Sequence, residues 1–190
     1  MNRKLLTAFC LAAALPLLQG CIGAAVTATG AAVLMADDRR TAGVYVEDEN
    51  VEWKALDVIS RRHSNAHVNA TSYNLKVLLT GEAPDETTKR EIEEKVRAIP
   101  NVKGVTNELV VAGNSSLTSR GNDSLITSNV KSRMIANTSI SPNHVKVVTE
   151  AGVVYLMGLV TQEEGDQAVE VTRTTSGVSR VVKAFEYIKP

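Results

Sequence analysis

The chain has 190 residues, 44% of them hydrophobic and 4% aromatic, and 21 Lys and Arg balance 21 Asp and Glu for a formal net charge of zero. No global basic field exists, which argues against non-specific nucleic-acid binding; attraction to an anionic surface would have to come from a local patch. With Cys10 and Cys21 as the only cysteines and three histidines in all, neither a disulfide framework nor a His/Cys metal cluster is expected.

At the N-terminus, Arg3 and Lys4 precede an apolar run from Leu5 to Leu18. The run is too short and Ala-rich for a stable span and has the form of a secretory signal. It closes in Leu17-Leu18-Gln19-Gly20-Cys21, where an apolar residue three places before the Cys and a small Gly directly before it resemble the bacterial lipobox; Gln19 is less usual there. The resemblance implies that residues 1–20 are removed and that Cys21 is lipidated. Ordinary cleavage that leaves Cys21 as a thiol is the alternative. Several acyl chains anchor stably where one does not, at about 0.8 kcal/mol per buried methylene. Ile22 follows the Cys, and lipoproteins of this kind without Asp at that place are sorted to the outer membrane. Loss of Arg3 and Lys4 would leave a mature charge of about −2.

Residues 21–46 read as the lipidated Cys and a tether. Ile22 to Met35 is apolar but interrupted by Gly23 and Gly30, and shorter than the roughly 17 residues of the briefest spans. Asp37 to Gly43 is polar and reads as a lead-in to the first folded unit.

The chain then repeats itself once. His67 to Thr71 aligns with His144 to Val148, and Lys76 to Gly81 with Val153 to Gly158. Upstream, Asp48, Val51, Ala55 and Ile59 match Asp123, Ile126, Val130 and Met134; downstream, Val102, Val105 and Leu109 match Val178, Val181 and Phe185. The boundaries are 47–112 for the first copy, 113–121 for a Ser-, Gly- and Asn-rich linker, and 122–190 for the second.

Within each copy the apolar residues of the first helix recur at helical spacing, with Asp48 and Asp123 expected as N-caps. His67 to Tyr73 with Leu75 to Gly81, and His144 to Glu150 with Val153 to Gly158, read as β-hairpins turning at Tyr73-Asn74 and Ala151-Gly152. Asp85 to Ala98 and Gln162 to Thr175 are second helices. Val102 to Val111 and Val178 to Ile188 are closing strands. The order helix-strand-strand-helix-strand predicts an α+β fold in two tandem units, each a three-stranded mixed sheet with both helices on one face.

Lys76-Val77-x-Leu79-x-Gly81 and Val153-x-Tyr155-Leu156-x-Gly158 between two helices, with the closing Gly177-Val178-x-x-Val181, resemble the BON domain; Gly104-Val105 departs from that closing pattern. The full order of lipobox, Asp38-Arg39-Arg40-Thr41-x-Gly43 and two BON copies is similar to the dual-BON outer-membrane lipoproteins. This resemblance implies a phospholipid-binding protein on the periplasmic face of the outer membrane that supports envelope integrity and gathers at division sites. It also puts the lipid-binding helix in the second copy, from Asn122 to Ala136. Where a member of the family has a Trp that dips into lipid, this chain has Leu125, without the amphipathic ring favoured at interfaces.

The lipid-contact candidates are Leu125, Ser128, Lys131, Ser132 and Arg133, with Arg120 just upstream. Ile126, Val130 and Met134 share the opposite, sheet-facing side. Each cation near an anionic surface contributes about 1 kcal/mol, so an anionic phospholipid membrane is the expected partner and the N-terminal lipid the dominant attachment. Trp53 is expected in core or inter-domain packing, with a second interfacial contact as the alternative. The alternative partner is protein, such as outer-membrane assembly machinery, engaged through the sheet edges.

No catalytic residue is assigned. His67 and His144 occupy equivalent strand starts and read as structural, and His63 follows Arg61-Arg62 at a helix end, where the dipole favours it. Glu91, Glu93 and Glu94 interleave with Lys89, Arg90 and Lys95 as a solvated face. Gly81 and Gly158 read as strand ends before turns. No enzyme activity, cofactor, metal or small-molecule substrate is expected.

Overall fold

A computed structural model describes residues 38–189 apart from 114, 138, 139 and 142. The signal, Cys21 and the apolar tether lie outside the described residues. Asp37–Pro190 form one compact unit that holds both copies.

The first copy comprises α1 (Ala42–Arg62), β1 (His67–Tyr73), β2 (Lys76–Ala83), α2 (Glu86–Arg97), β3 (Gly104–Asn107) and β4 (Val110–Val111). The second comprises α3 (Leu117–Ala136), β5 (Val145–Glu150), β6 (Val153–Val160), α4 (Gln162–Arg173) and β7 (Arg180–Tyr187). Each copy has an antiparallel hairpin whose second strand pairs in parallel with the closing strand. This is the α+β order read from the sequence. The closing strand of the first copy is broken: β3 and β4 both pair with β2, and between them Leu109 turns into the core.

Both helices of a copy cover one sheet face. In the first, Val51, Ala55 and Ile59 of α1 and Ile92 and Val96 of α2 pack on Ala70, Val77 and Leu79. In the second, Ile126, Val130 and Met134 of α3 and Ala168 of α4 pack on Val145, Val147, Val154, Leu156 and Val160. The period-2 alternation of the strands leaves their other faces apolar as well, and these meet: Tyr73 and Leu78 of the first copy join Tyr155 and Met157 of the second in a shared buried cluster. Burying those rings and side chains favours closed packing of the two sheets.

The first helices begin earlier than the sequence reading had them. Thr41 and Ser116 are the N-caps, accepting from the Val44 and Ser119 amides, so α3 takes in 117–121 of the presumed linker. Asp48 and Asp123 are not caps. They lie inside the helices, 1% and 6% exposed, and point at the hairpin turns. Asp48 accepts from the amides of Asn74 and Leu75 (2.9 and 2.8 Å), and Asp123 from those of Ala151 and Gly152 (3.0 and 2.8 Å). All four turn residues have positive φ, the type I′ geometry that suits a two-residue hairpin. The carboxylate thus does what an N-cap does, accepting orphan backbone donors, but across to another element.

Gly81 and Gly158 do not end their strands, which run on to Ala83 and Val160. They are close-approach positions. A Cβ on Gly81 would lie 2.1 Å from the His67 carbonyl oxygen, and on Gly158 2.3 Å from that of His144, so only glycine lets the paired strand come this near.

Arg39 and Arg40 of the lead-in bind both copies. Arg39 makes a two-pronged pair with Glu164 (2.6 and 2.9 Å) and donates to the Leu159 carbonyl. Burial alone would push the Glu164 carboxyl up, but Arg39, the Thr161 amide and His144 together hold it down at about 2. Arg40, its side chain 7% exposed, bridges Asp38 and Asp48 (2.7 and 2.8 Å) and lies over the Tyr73 ring at 4.1 Å.

Candidate membrane-contact helix

Since Ile126, Val130 and Met134 turn α3's apolar stripe onto the sheet, the opposite side of the helix is left to solvent. Leu125 is 66% exposed and Ile135 67%; Ser128, Lys131 and Ser132 are exposed between them. At about 100° per residue these five fall within an arc of roughly 120°. Ser128 Oγ donates to the Ser124 carbonyl (3.0 Å), which leaves a low, weakly polar surface between the two large apolar side chains.

The two arginines behave differently from the rest of the predicted set. Arg133 is tied to the end of α4, donating to Thr175 and Thr174 Oγ1 (2.7 and 2.9 Å). Arg120 donates to Ser115 Oγ and carbonyl (both 3.2 Å) and lines a cavity toward the first copy. Lys131 is therefore the cation placed within the apolar stripe, with the arginines flanking it. Ile135 was missed by the sequence reading. The signal was present in its helical spacing from Ser128, but its neighbour Met134 is a core residue and drew the whole segment onto the buried side.

The charge of α3 distinguishes it from α1. Its one acidic residue, Asp123, is buried and occupied by the turn, while it carries Arg120, Lys131 and Arg133. The equivalent face of α1 holds the most exposed aromatic side chain among the described residues: Trp53 is 72% exposed and Leu56 38%. This corrects the expectation that Trp53 packs in the core or between domains. Exposed Glu49 and Asp57 flank it. Beside it, a groove of about 520 Å³ runs between α1 and Ala66 and Val68 on the side of the edge strand β1.

The histidines each meet a carboxylate: His67 Nδ1 lies 2.9 Å from Glu82 and His144 Nδ1 3.3 Å from Glu164. His63 caps the C-terminus of α1, its amide donating to the Ile59 carbonyl. Spacing along the chain shows no metal-ligating cluster; folding brings His67 and Glu82 of the first copy together with Glu150 of the second.

A doubled α+β unit with two helices on a small mixed sheet defines a tandem module whose distinctive surface is helical. Residues 48–113 and 122–189 both match the BON domain, and the chain belongs to that family, in the dual-BON arrangement. It is 34% identical over 90% of both chains to the outer membrane lipoprotein DolP of Haemophilus influenzae. It is 32% identical over 80% of both chains to a 21 kDa hemolysin of Actinobacillus pleuropneumoniae. Against osmotically-inducible protein Y of Escherichia coli it is 26% identical, covering 73% of this chain and 72% of that one.

Proposed function

We propose that this chain is an outer-membrane lipoprotein of the cell envelope, anchored through Cys21 on the periplasmic face, which binds anionic phospholipid along the exposed side of α3 without catalytic turnover. Likeness to an outer membrane lipoprotein over 90% of both chains supports the localisation. The observation that carries the lipid reading is the pairing of exposed Leu125 and Ile135 with Lys131 on a helix whose one acid is buried. Apolar side chains can enter the headgroup boundary while the cation meets the phosphates. A single cation and two apolar groups bind weakly, so the anchor holds the protein at the membrane and α3 sets how it lies there. Support for envelope integrity, and gathering at division sites, would follow from that surface reading.

The test is sedimentation of residues 37–190, which lack the anchor, with phosphatidylcholine vesicles containing or lacking phosphatidylglycerol. Binding is expected to require the anionic lipid and to fall at least fivefold in Leu125→Glu, Ile135→Glu and Lys131→Glu. Binding that ignores all three substitutions would remove α3 from the reading.

The Trp53 groove favours a second reading, an adaptor for envelope proteins such as outer-membrane assembly machinery. An acid-flanked aromatic beside a sheet edge suits a peptide better than an anionic membrane. Crosslinks from position 53 to a protein in cells, together with unchanged lipid binding by Trp53→Ala, would support it.

A further inference from the structure

We propose that His67, Glu82 and Glu150 form a divalent-cation site, suited to Zn²⁺, at the seam between the two BON copies. The three side chains come from strands of both sheets. His67 opens β1 and faces Glu82 of β2 directly in register, and Glu150 closes β5 of the second copy. One ligand atom from each lies within 4.8 Å of the others, and His67 Nδ1 is already 2.9 Å from Glu82 Oε2.

The two carboxylates are more than nine-tenths buried, at 7% and 8% exposure. Neither forms an ion pair with a lysine or arginine among the described residues. Arg120, which lines the same cavity as His67 and Glu150, is turned to Ser115. The described hydrogen bonds to both carboxylates fall on Oε2. Two buried carboxylates sharing a space with one imidazole are a costly arrangement unless a cation completes it.

The remaining contacts orient the ligands. Asn69 Nδ2 holds Glu150 Oε2 at 2.9 Å, and the Ser115 amide holds Glu82 Oε2 at 3.1 Å, which is how outer hydrogen bonds fix metal-binding carboxylates. One imidazole nitrogen and two carboxylate oxygens match the Zn²⁺ donor set, whose tetrahedral ligands sit about 3.3 Å apart. The three ligand atoms, within 4.8 Å of one another, would have to draw together by up to about 1.5 Å to reach that spacing. Three protein donors are too few for Ca²⁺, which takes six to eight oxygens. A cavity of about 380 Å³ bordered by His67, Asn69 and Glu150 gives the ion a way in and leaves a coordination position for water. Glu82 corresponds to Leu159 in the second copy, so the repeat does not duplicate the site. An ion there would join the copies without any new protein contact.

Calorimetric titration of ZnCl₂ into the untagged full-length chain in detergent, its cysteines alkylated so that no thiol takes up metal, tests this. One ion per chain is expected with micromolar or tighter Kd, undisturbed by millimolar Mg²⁺ or Ca²⁺. Glu150→Gln and His67→Gln should each weaken binding at least tenfold and abolish the rise in melting temperature that Zn²⁺ produces. Since Glu150→Gln removes one of two neighbouring buried charges, it should melt without zinc no lower than the unaltered chain. No uptake, or uptake unchanged in both variants, overturns the assignment, as does loss of binding in Glu164→Gln, which alters the pairs with Arg39 and His144 and none of the three proposed ligands.

Discussion

Asp48 and Asp123 show how much a single residue's chemistry can mean in a different place from where sequence rules put it. Asp is favoured at helix N-caps because a short carboxylate accepts backbone amides. Here the same property is used about two turns inside the helix, on amides of a hairpin turn 26 to 29 residues along the chain. Removing Asp123 takes the acceptor from two part-buried N–H groups of the turn, each costing about 1 kcal/mol. Asp123→Ala should therefore lower unfolding free energy by about 2 kcal/mol in urea. Asp48→Ala should cost more, since Asp48 also takes Ser72 Oγ and Arg40. A change below about 0.5 kcal/mol in Asp123→Ala, the range of inert surface substitutions, would contradict the turn-capping role.

At the scale of elements, strands and hairpins were legible because alternating β-branched residues have one useful reading and the turns sit at fixed places between them. Helix starts were less so. Thr41 and Ser116 are good caps, but Gly43 and Gly121 close to the helix starts, and the polar residues after Ser116, imitate a linker. The buried side of α3 was readable from its 3.6-residue period; the solvent side was read only in part, because Ile135 has no polar contrast with Met134. Trp53 was misplaced for a related reason: large aromatics are usually buried, and nothing in the local pattern says that this one occupies the outward side of α1. Since Leu125 and Ile135 touch no core cluster, Leu125→Glu should leave the urea midpoint within about 0.5 kcal/mol of the unaltered value. A loss of vesicle binding then reports contact and not unfolding.

For the whole molecule, the packing of two sheets face to face and the Arg39-Arg40 lead-in make the repeat one body. None of this was visible along the chain, because every contact joins residues that only the closed arrangement brings near: Arg39 to Glu164, Asn69 to Glu150, Lys146 to Glu52. The pair at Glu164 also carries a pH dependence. Its carboxyl is lowered when folded, so it contributes stability above the unfolded carboxylate value of about 4.3 and loses that contribution as pH falls through about 2. Unfolding midpoints of the native chain and Glu164→Gln should differ at pH 6 and converge toward pH 2; a constant difference would mean that the pair with Arg39 does not hold the charge.

The central claim is that α3 and not α1 lies against anionic lipid, and the chain's one tryptophan offers a direct reading of it. In residues 37–190 bound to phosphatidylglycerol vesicles with brominated acyl chains, Trp53 should keep its emission maximum and remain unquenched. In the Trp53→Phe, Leu125→Trp chain the emission should shift to the blue and be quenched. Quenching of Trp53 without quenching at position 125 would contradict the account and transfer the membrane contact to the first copy.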